Sequence, residues 1–389
     1  MPHAIHSFVA TCTAGGEGVL ADELAEIGAE GIRPLSGAVA FEGPMETGYR
    51  ACLWSRVASR CLVELGWYAG TTPEALYEAV RAIPWTEHMG VEDTLAVDFV
   101  GTSRTIRNSH FGAMRTKDAI VDAIRDVHDA RPSVDLEAPD LRVHIHLASG
   151  GFTVSLDLAG DPLHRRGYIR EAGAAPIKEN LAALILRLGE WPEAARHGAP
   201  LVDPMCGSGT FLMEAAGMAL DRAPGLGRIR WGFTKWRQHQ PELWERLVAE
   251  AEERKAAANH RPVEIYGADR DPELLRLTKV NLARSEVNAR VKRSDIRDTV
   301  APPSSRTEPP FGLVVTNPPY GERLGDKKGA EMVGKMLGNS LRRGFRGWRV
   351  LVIAGSKELV QGIGLPDVRQ KQLWNGPIEC RLVQYDVGS

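Results

Sequence analysis

Asn317, Pro318, Pro319 and Tyr320 stand in the stretch TNPPYGERLG, which begins at Thr316 straight after the apolar run FGLVV. Each proline fixes its own φ and gives up a backbone donor. The residue before each proline is held extended as well. The carbonyls of such a segment are not consumed by a turn of helix, so they stay available as acceptors beside the Asn317 amide. An amino group conjugated to a nucleobase is a poor nucleophile, because its lone pair is delocalised into the ring. The Asn317 side-chain oxygen and the Pro318 carbonyl can hold its two N–H bonds as the nitrogen turns pyramidal, which stabilises charge where it develops. The Tyr320 ring can stack on a base taken out of its helix. No metal and no covalent nucleophile is required, since aligning the nitrogen with a methyl donor supplies much of the rate. The bland alternative is a proline-stiffened loop.

A second motif, DPMCGSGT, runs from Asp203 through Pro204, Met205, Cys206, Gly207, Ser208 and Gly209 to Thr210. It is a glycine loop between a strand and a helix, where backbone N–H groups and the helix N-terminus can meet a carboxylate or phosphate. No Lys-Ser or Lys-Thr follows the glycines, so it is not a Walker loop. It also lacks the third glycine and the acid roughly 20 residues on that mark a dinucleotide site. Asp269 ends the next strand, a position suited to a pair of ribose hydroxyls. Asp295, one strand further on, suits an adenine amino group. Together these residues describe a site for a nucleoside carrying a short charged tail, rather than for a triphosphate.

Placing four such residues on one edge requires a particular scaffold. From residue 163 onward, strands at PLVD, EIYGAD, FGLVVTN and WRVLVIAGS alternate with helices at IKENLAALILRLGEW, TFLMEAAGMAL and PELLRLTKVNLARS. That alternation predicts an α/β, Rossmann-like, doubly wound sheet with its ligands at the carboxyl ends of the strands. Upstream, a βαββαβ order over residues 1–66 predicts a small ferredoxin-like domain. Residues 67–160 form a second α/β stretch. It has a helix RTKDAIVDAIRDVH, whose Ala119, Ile120, Ala123, Ile124 and Val127 fall at helical spacing, and a closing hairpin of LRVHIHL and FTVSLDL.

Composition narrows the class. The 389 residues allow two or three domains, and charged residues at 25% with a mean hydropathy of -0.22 are ordinary for a globular chain. The net charge of -2 gives no global signal for nucleic acid, so such a partner must be met by local basic patches. Three stretches carry Arg or Lys with aromatics and no acid: GTSRTIRNSHFGAMRTK, GRIRWGFTKWRQHQ and SLRRGFRGWR. Together they favour an RNA-facing surface over solvated faces with core tryptophans. Five scattered cysteines without CxxC spacing argue against a disulfide framework or zinc ribbon, and for a cytoplasmic protein. The N-terminus does not read as a signal peptide, and no apolar run approaches bilayer length. His144 and His146 show no ligand spacing joined to a carboxylate, so they read as structural.

At this point the residues match a family. DPMCGSGTFLMEAA, RAPGL, WGFTKWRQH, TNPPYGERLG and WNGPIECRL resemble the bacterial 23S rRNA guanine-N2 methyltransferases that carry a THUMP domain. GTSRTIRNSHFGAMRTKDAIVDAI, RVHIHL and SLDLAGDPLHRRGYIREAGAAPIKENLAA resemble the THUMP region and linker of the same family. The resemblance implies S-adenosyl-L-methionine as methyl donor, without a metal, and N2 of a guanine in 23S rRNA or a large-subunit assembly intermediate as acceptor. It assigns Asp203 to Thr210 to the methionine end of the donor, Asp269 to the ribose, Asp295 to the adenine and Asn317 to Tyr320 to the target base. It also implies a THUMP RNA-binding domain over 67–160 and a methyltransferase domain over 163–389. Some members are fused to a second methyltransferase domain; the chain given ends before one, so that second activity is expected to be absent. A THUMP-linked tRNA guanine-N2 methyltransferase shares both motifs and stays open as an alternative. So does a non-catalytic RNA-binding protein that has kept a methyltransferase shell.

Overall fold

A computed structural model describes residues 4–148, 150–168, 177–304, 306, 308–319 and 327–388. The chain forms two compact units. One comprises Met1–Cys12, Ala21–Leu163 and Arg228–Ala249; the other comprises Thr13–Leu20, His164–Gly227 and Glu250–Ser389. Among the described residues no helix is long and apolar enough to cross a membrane.

The first unit is built on one sheet. Its opening run is β1 (His6–Thr11), α1 (Glu17–Glu26, in this unit from Ala21 onward), β2 (Glu30–Leu35), β3 (Ala38–Gly43), α2 (Met45–Trp54) and β4 (Arg60–Ala69), the split order read from the sequence. There follow α3 (Pro73–Arg81), β5 (Thr94–Val100), α4 (Ser109–His128), β6 (Ser133–Val134), β7 (Leu141–Ala148) and β8 (Gly151–Asp157). Among the described residues the strands lie in the order β2-β3-β1-β4-β8-β7-β5-β6, so the antiparallel β4–β8 pair joins both halves into eight strands. α4 begins earlier than its apolar spacing suggests. The Asn108 side chain caps it by accepting from His110 N–H at 2.7 Å. Ala119, Ile120 and Ile124 are buried, whereas Val127 is exposed in the last turn.

The segment Arg228–Ala249 belongs to this unit, and its aromatics are interior. Trp231, Phe233 and Trp236 are buried. Tyr49 packs on Phe233 at 4.6 Å between ring centroids, and its hydroxyl meets His239 Nδ1 at 2.7 Å. Trp236 Nε1 donates to His88 Nδ1 at 2.9 Å. The basic, tryptophan-rich stretch therefore contributes its tryptophan and phenylalanine rings to a core, because large apolar area outweighs local charge in deciding burial.

The second unit contains α5 (Glu179–Leu188), α6 (Trp191–Arg196), β9 (Leu201–Asp203), α7 (Thr210–Ala219), the part of α8 (Pro241–Ala258) from Glu250 onward, β10 (Ile265–Asp269), α9 (Pro272–Arg284) and β11 (Arg290–Arg293). It continues with β12 (Leu313–Thr316), α10 (Lys327–Gly344), β13 (Arg349–Ala354), α11 (Lys357–Ile363), β14 (Asp367–Asn375) and β15 (Ile378–Asp386). The strand order is β11-β10-β9-β12-β13-β15-β14. All pairs are parallel except those of β15, which runs antiparallel to β13 and β14. The chain leaves β9 toward β10 and β11, then returns to place β12 on the other side of β9. Strand order reverses there, which is where a doubly wound sheet opens a crevice at its carboxyl ends. Phe345 and Trp348, the aromatics of the third basic stretch, are buried in the core beside β13 and β15.

Candidate active site

The four positions singled out at strand ends do converge. Asp203 ends β9, Asp269 ends β10, Asp295 follows β11 and Asn317 follows β12, and all four line one cavity of about 310 Å³. Pro204, Met205, Cys206, Gly207, Ser208 and Thr210 line it from the glycine loop, and Pro318 and Pro319 from the proline pair. Gly209 does not line the cavity. It stands at the N-cap of α7 with φ 88, and a Cβ there would lie 2.9 Å from Thr278 Cγ2. Only glycine meets both demands. Tyr320 lies outside the described residues.

The loop is held by side chains on its neighbours. Asp203 Oδ1 accepts from Met205 N–H at 3.1 Å, and Asp269 Oδ2 accepts from Gly207 N–H at 3.0 Å. Asn281 Nδ2, on α9, donates to Ser208 O at 3.1 Å, and the Thr278 hydroxyl donates to Gly207 O. Gly207 has φ 54, and a Cβ there would enter open space. The Asp269 carboxylate also accepts from Asp271 N–H at 3.0 Å, which leaves each oxygen a further lone pair for a hydroxyl. Asp295 is more committed. Its two oxygens accept from Arg297 Nε at 2.9 Å and Arg297 Nη2 at 3.2 Å, and these bonds hold its carboxyl below the usual range.

Electrostatics separate the acids. Burial pushes the Asp203 carboxyl up to about 8, and the negative Asp269 adds to the effect. An uncharged or half-charged acid buried at the mouth of a helix is poised for a cationic partner. Burial also pushes the Cys206 thiol well above its ordinary range, so it stays protonated and is no nucleophile. Asn317 Oδ1 is buried and accepts from nothing among the described residues. A buried acceptor without a donor is costly. Asn317 stands one residue past β12 and lines the cavity. Among the described residues no group of His, Cys, Asp or Glu is gathered to hold a metal ion.

The motif reading missed the apolar part of the wall. Ile177, Phe211, Leu274, Ile296, Val333 and Met336 line the same cavity. Apolar residues on helices read as core, so nothing in their types marks them. Asp271 carried a signal: it precedes a proline and an acidic first turn, and it caps α9 by accepting from Glu273 N–H at 2.8 Å.

Comparison with known proteins follows this geometry. Residues 166–384 match the family model described as the RMKL-like methyltransferase domain, 70–157 the THUMP domain, and 7–62 the RlmL ferredoxin-like domain. The chain is 45% identical over 382 residues to the ribosomal RNA large subunit methyltransferase K/L of Syntrophotalea carbinolica, covering 98% of this chain and 53% of that protein. It is 44% identical over 381 residues to the protein of the same name from Ectopseudomonas mendocina, covering 97% and 52%. The chain thus spans about half the length of the curated relatives it matches. The crystal structure of SMU.472 complexed with SAH superposes with a TM-score of 0.84 at 28% identity, covering 99% of this chain and 98% of that one. With the sheet order, the acid-edged crevice and a family match across more than half its length, the chain belongs to the RMKL-like methyltransferases and carries a THUMP domain.

Proposed function

We propose that this chain transfers a methyl group from S-adenosyl-L-methionine to the exocyclic N2 of a guanine in 23S rRNA, with residues 67–160 binding RNA and residues 163–389 performing the transfer. The observation that carries the reading is Asn317 Oδ1, buried and without a donor among the described residues, beside Pro318 and Pro319, in a cavity whose other strand ends present Asp203, Asp269 and Asp295. The relatives named ribosomal RNA large subunit methyltransferase K/L support the choice of RNA.

The residues present fit the donor. Asp203 and the loop through Thr210 would hold its amino-acid end, Asp269 its ribose and Asp295 its adenine, against the apolar wall of Leu274 and Ile296. When bound, the donor supplies an electrophilic methyl group on a sulfonium. The protein's part is positional. Asn317 Oδ1 and the Pro318 carbonyl accept from the base amine and hold its nitrogen in line as charge develops. The proline pair keeps both acceptors from turning away. Tyr320 would stack on the displaced base.

Mass mapping of modified nucleosides in rRNA and tRNA tests the reading in cells lacking the gene and in cells carrying it. The expected result is loss of one N2-methylguanosine from 23S rRNA, restored by the parent gene but not by Asn317→Ala. Loss of the nucleoside from tRNA with rRNA unchanged would overturn the substrate.

A further inference from the structure

Of the three acid-free basic stretches, two bury their aromatic rings, but the stretch beginning at Gly101 adjoins an aromatic that the sheet leaves bare. Trp67 on β4 is 58% exposed and Val100 at the end of β5 is 50% exposed. They lie on one line. Trp67 faces Thr153 on β8, Thr153 faces His146 on β7, and His146 faces Val100 on β5. A register shift between Glu64 and Gly66 turns Trp67 onto this face of the sheet, away from Val154 and the core. Exposure rises toward this end of the face: along β7, Arg142 and His144 are half-buried while His146 and Ala148 are exposed. The next residues outward are small: Ala69, Gly151 and Ala148 face one another. The indole lies down over Gly151, where a Cβ would stand 2.5 Å from Trp67 Cζ2.

Directly after Val100, the chain enters the segment Gly101–Lys117, which contains no acid. Its first loop is tied down, because the Ser103 and Thr105 hydroxyls donate to Thr71 O at 2.8 and 2.9 Å. Arg104 and Arg107 project from that loop exposed, with Arg107 Nε bound to Arg104 O at 3.0 Å. The next row inward holds two acids, Asp98, paired with Arg142 at 3.2 Å, and the half-buried Glu64 facing Ser155. A flat floor with an indole laid on it is a surface for the face of a planar base. Two exposed cations, Arg104 and Arg107, in the loop that follows Val100 complement the phosphates that such a base carries.

We propose that the row Trp67, Thr153, His146 and Val100 is a stacking platform for an unpaired segment of RNA, with Arg104 and Arg107 holding its phosphates. The proposal rests on RNA being the substrate and adds where, outside the methyl-transfer cavity, its single-stranded part is gripped. Bases stacked on an exposed aromatic of a sheet are held with little regard to sequence, since every base presents a π face.

Fluorescence anisotropy of a labelled oligoadenylate of about eight nucleotides, titrated with the full-length chain, tests it beside a blunt RNA duplex. Trp67→Ala is expected to weaken the oligoadenylate about tenfold and to leave duplex affinity close to the parent's. Trp67→Phe should recover most of the loss, because a ring remains to stack. Arg104→Gln with Arg107→Gln should lower the salt slope for the single strand by about 1.4, the value for two phosphate contacts. The indole is more than half exposed, so its removal leaves the core packed. Parental oligoadenylate affinity in Trp67→Ala would overturn the platform, as would an equal loss on duplex and single strand. A parent chain that binds duplex but not oligoadenylate overturns the platform and leaves the methyl-transfer reading standing. A parent that binds neither, and methylates no RNA, overturns both.

Discussion

Asp203 and Asp269 brace one glycine loop from the ends of neighbouring parallel strands. Asp203 takes the N–H of Met205 and Asp269 takes that of Gly207, at 3.1 and 3.0 Å. Loop shape and site charge are therefore the same feature. The acids that fix the backbone also set the charge of the cavity, and burial makes ionising Asp203 costly until a cation arrives.

A pH dependence follows from Asp203. Its carboxyl is raised from 3.8 to about 8, so the folded chain keeps a proton that the unfolded chain has lost. The stability tied to that proton is fully present below about pH 4 and disappears as the pH rises to about 8. The melting temperature of the unliganded protein should fall across that window, and Asp203→Asn should flatten the fall. On the proposed reading, the ammonium of the donor favours the carboxylate, so donor binding near pH 7 releases a proton and strengthens toward pH 8. Calorimetry in buffers of different ionisation enthalpy counts that proton. A count of zero would remove Asp203 from the donor's ammonium.

Asp269→Ala should weaken donor binding by at least about tenfold, since hydrogen bonds to a charged group are worth about 1.5–3 kcal/mol each. It also frees Gly207 N–H, so the loop loses a brace together with the ribose partner. RNA affinity should stay at the parent's value. Titration calorimetry with the folded variant decides: unchanged donor affinity would take Asp269 out of the site.

Glu214 carries stability rather than chemistry. It sits on α7, directly behind the glycine loop, and its carboxylate binds Arg166 Nε at 2.7 Å with both side chains buried. The Tyr168 hydroxyl donates to the same oxygen. Removing one partner of a buried pair costs about 3–5 kcal/mol. For a unit of this size, Glu214→Ala should lower the melting temperature by about 6–20 °C. A scan within a degree or so of the parent would show that the cluster is not a stabilising one.

The carboxyl edge of the second sheet was legible because its signals are local. Asp203, Asp269 and Asn317 each end an apolar strand run, and a doubly wound order leaves such residues on one side. Burial of the tryptophans was not legible. Trp231 and Trp236 stand among Arg and Lys and read as RNA-facing, yet they fill a core with Tyr49 and His88, partners roughly 150–190 residues away in the chain. Trp67 shows the converse. A hydrophobic strand position points outward only because the β4–β8 register slips by a residue, and no composition rule reports a slip. The prior engagement of Asp295 by Arg297 was hidden for a related reason: an i, i+2 pair meets only in the tight turn that follows β11.

Asn317 offers the sharpest test of the chemistry. If its oxygen accepts from the base amine mainly as the nitrogen turns pyramidal, Asn317→Ala should lose rate in the chemical step. Removing one such preorganised group typically costs about 2.7–4 kcal/mol, a factor of about 10²–10³. Donor affinity should change less, because the glycine loop, Asp269 and Asp295 are untouched. Among the described residues Asn317 Oδ1 is buried without a donor, so its removal should leave the melting temperature at or slightly above the parent's. That expectation separates lost chemistry from a collapsed loop. Asn317→Asp should be milder than alanine in rate, since an acceptor remains in place, although a carboxylate added near Asp203 and Asp269 should make it slower at high pH. Single-turnover methylation of 23S rRNA at saturating donor reads the step directly. A near-parental rate for Asn317→Ala, at an unchanged melting temperature, would mean that the proline pair is here only a stiff turn.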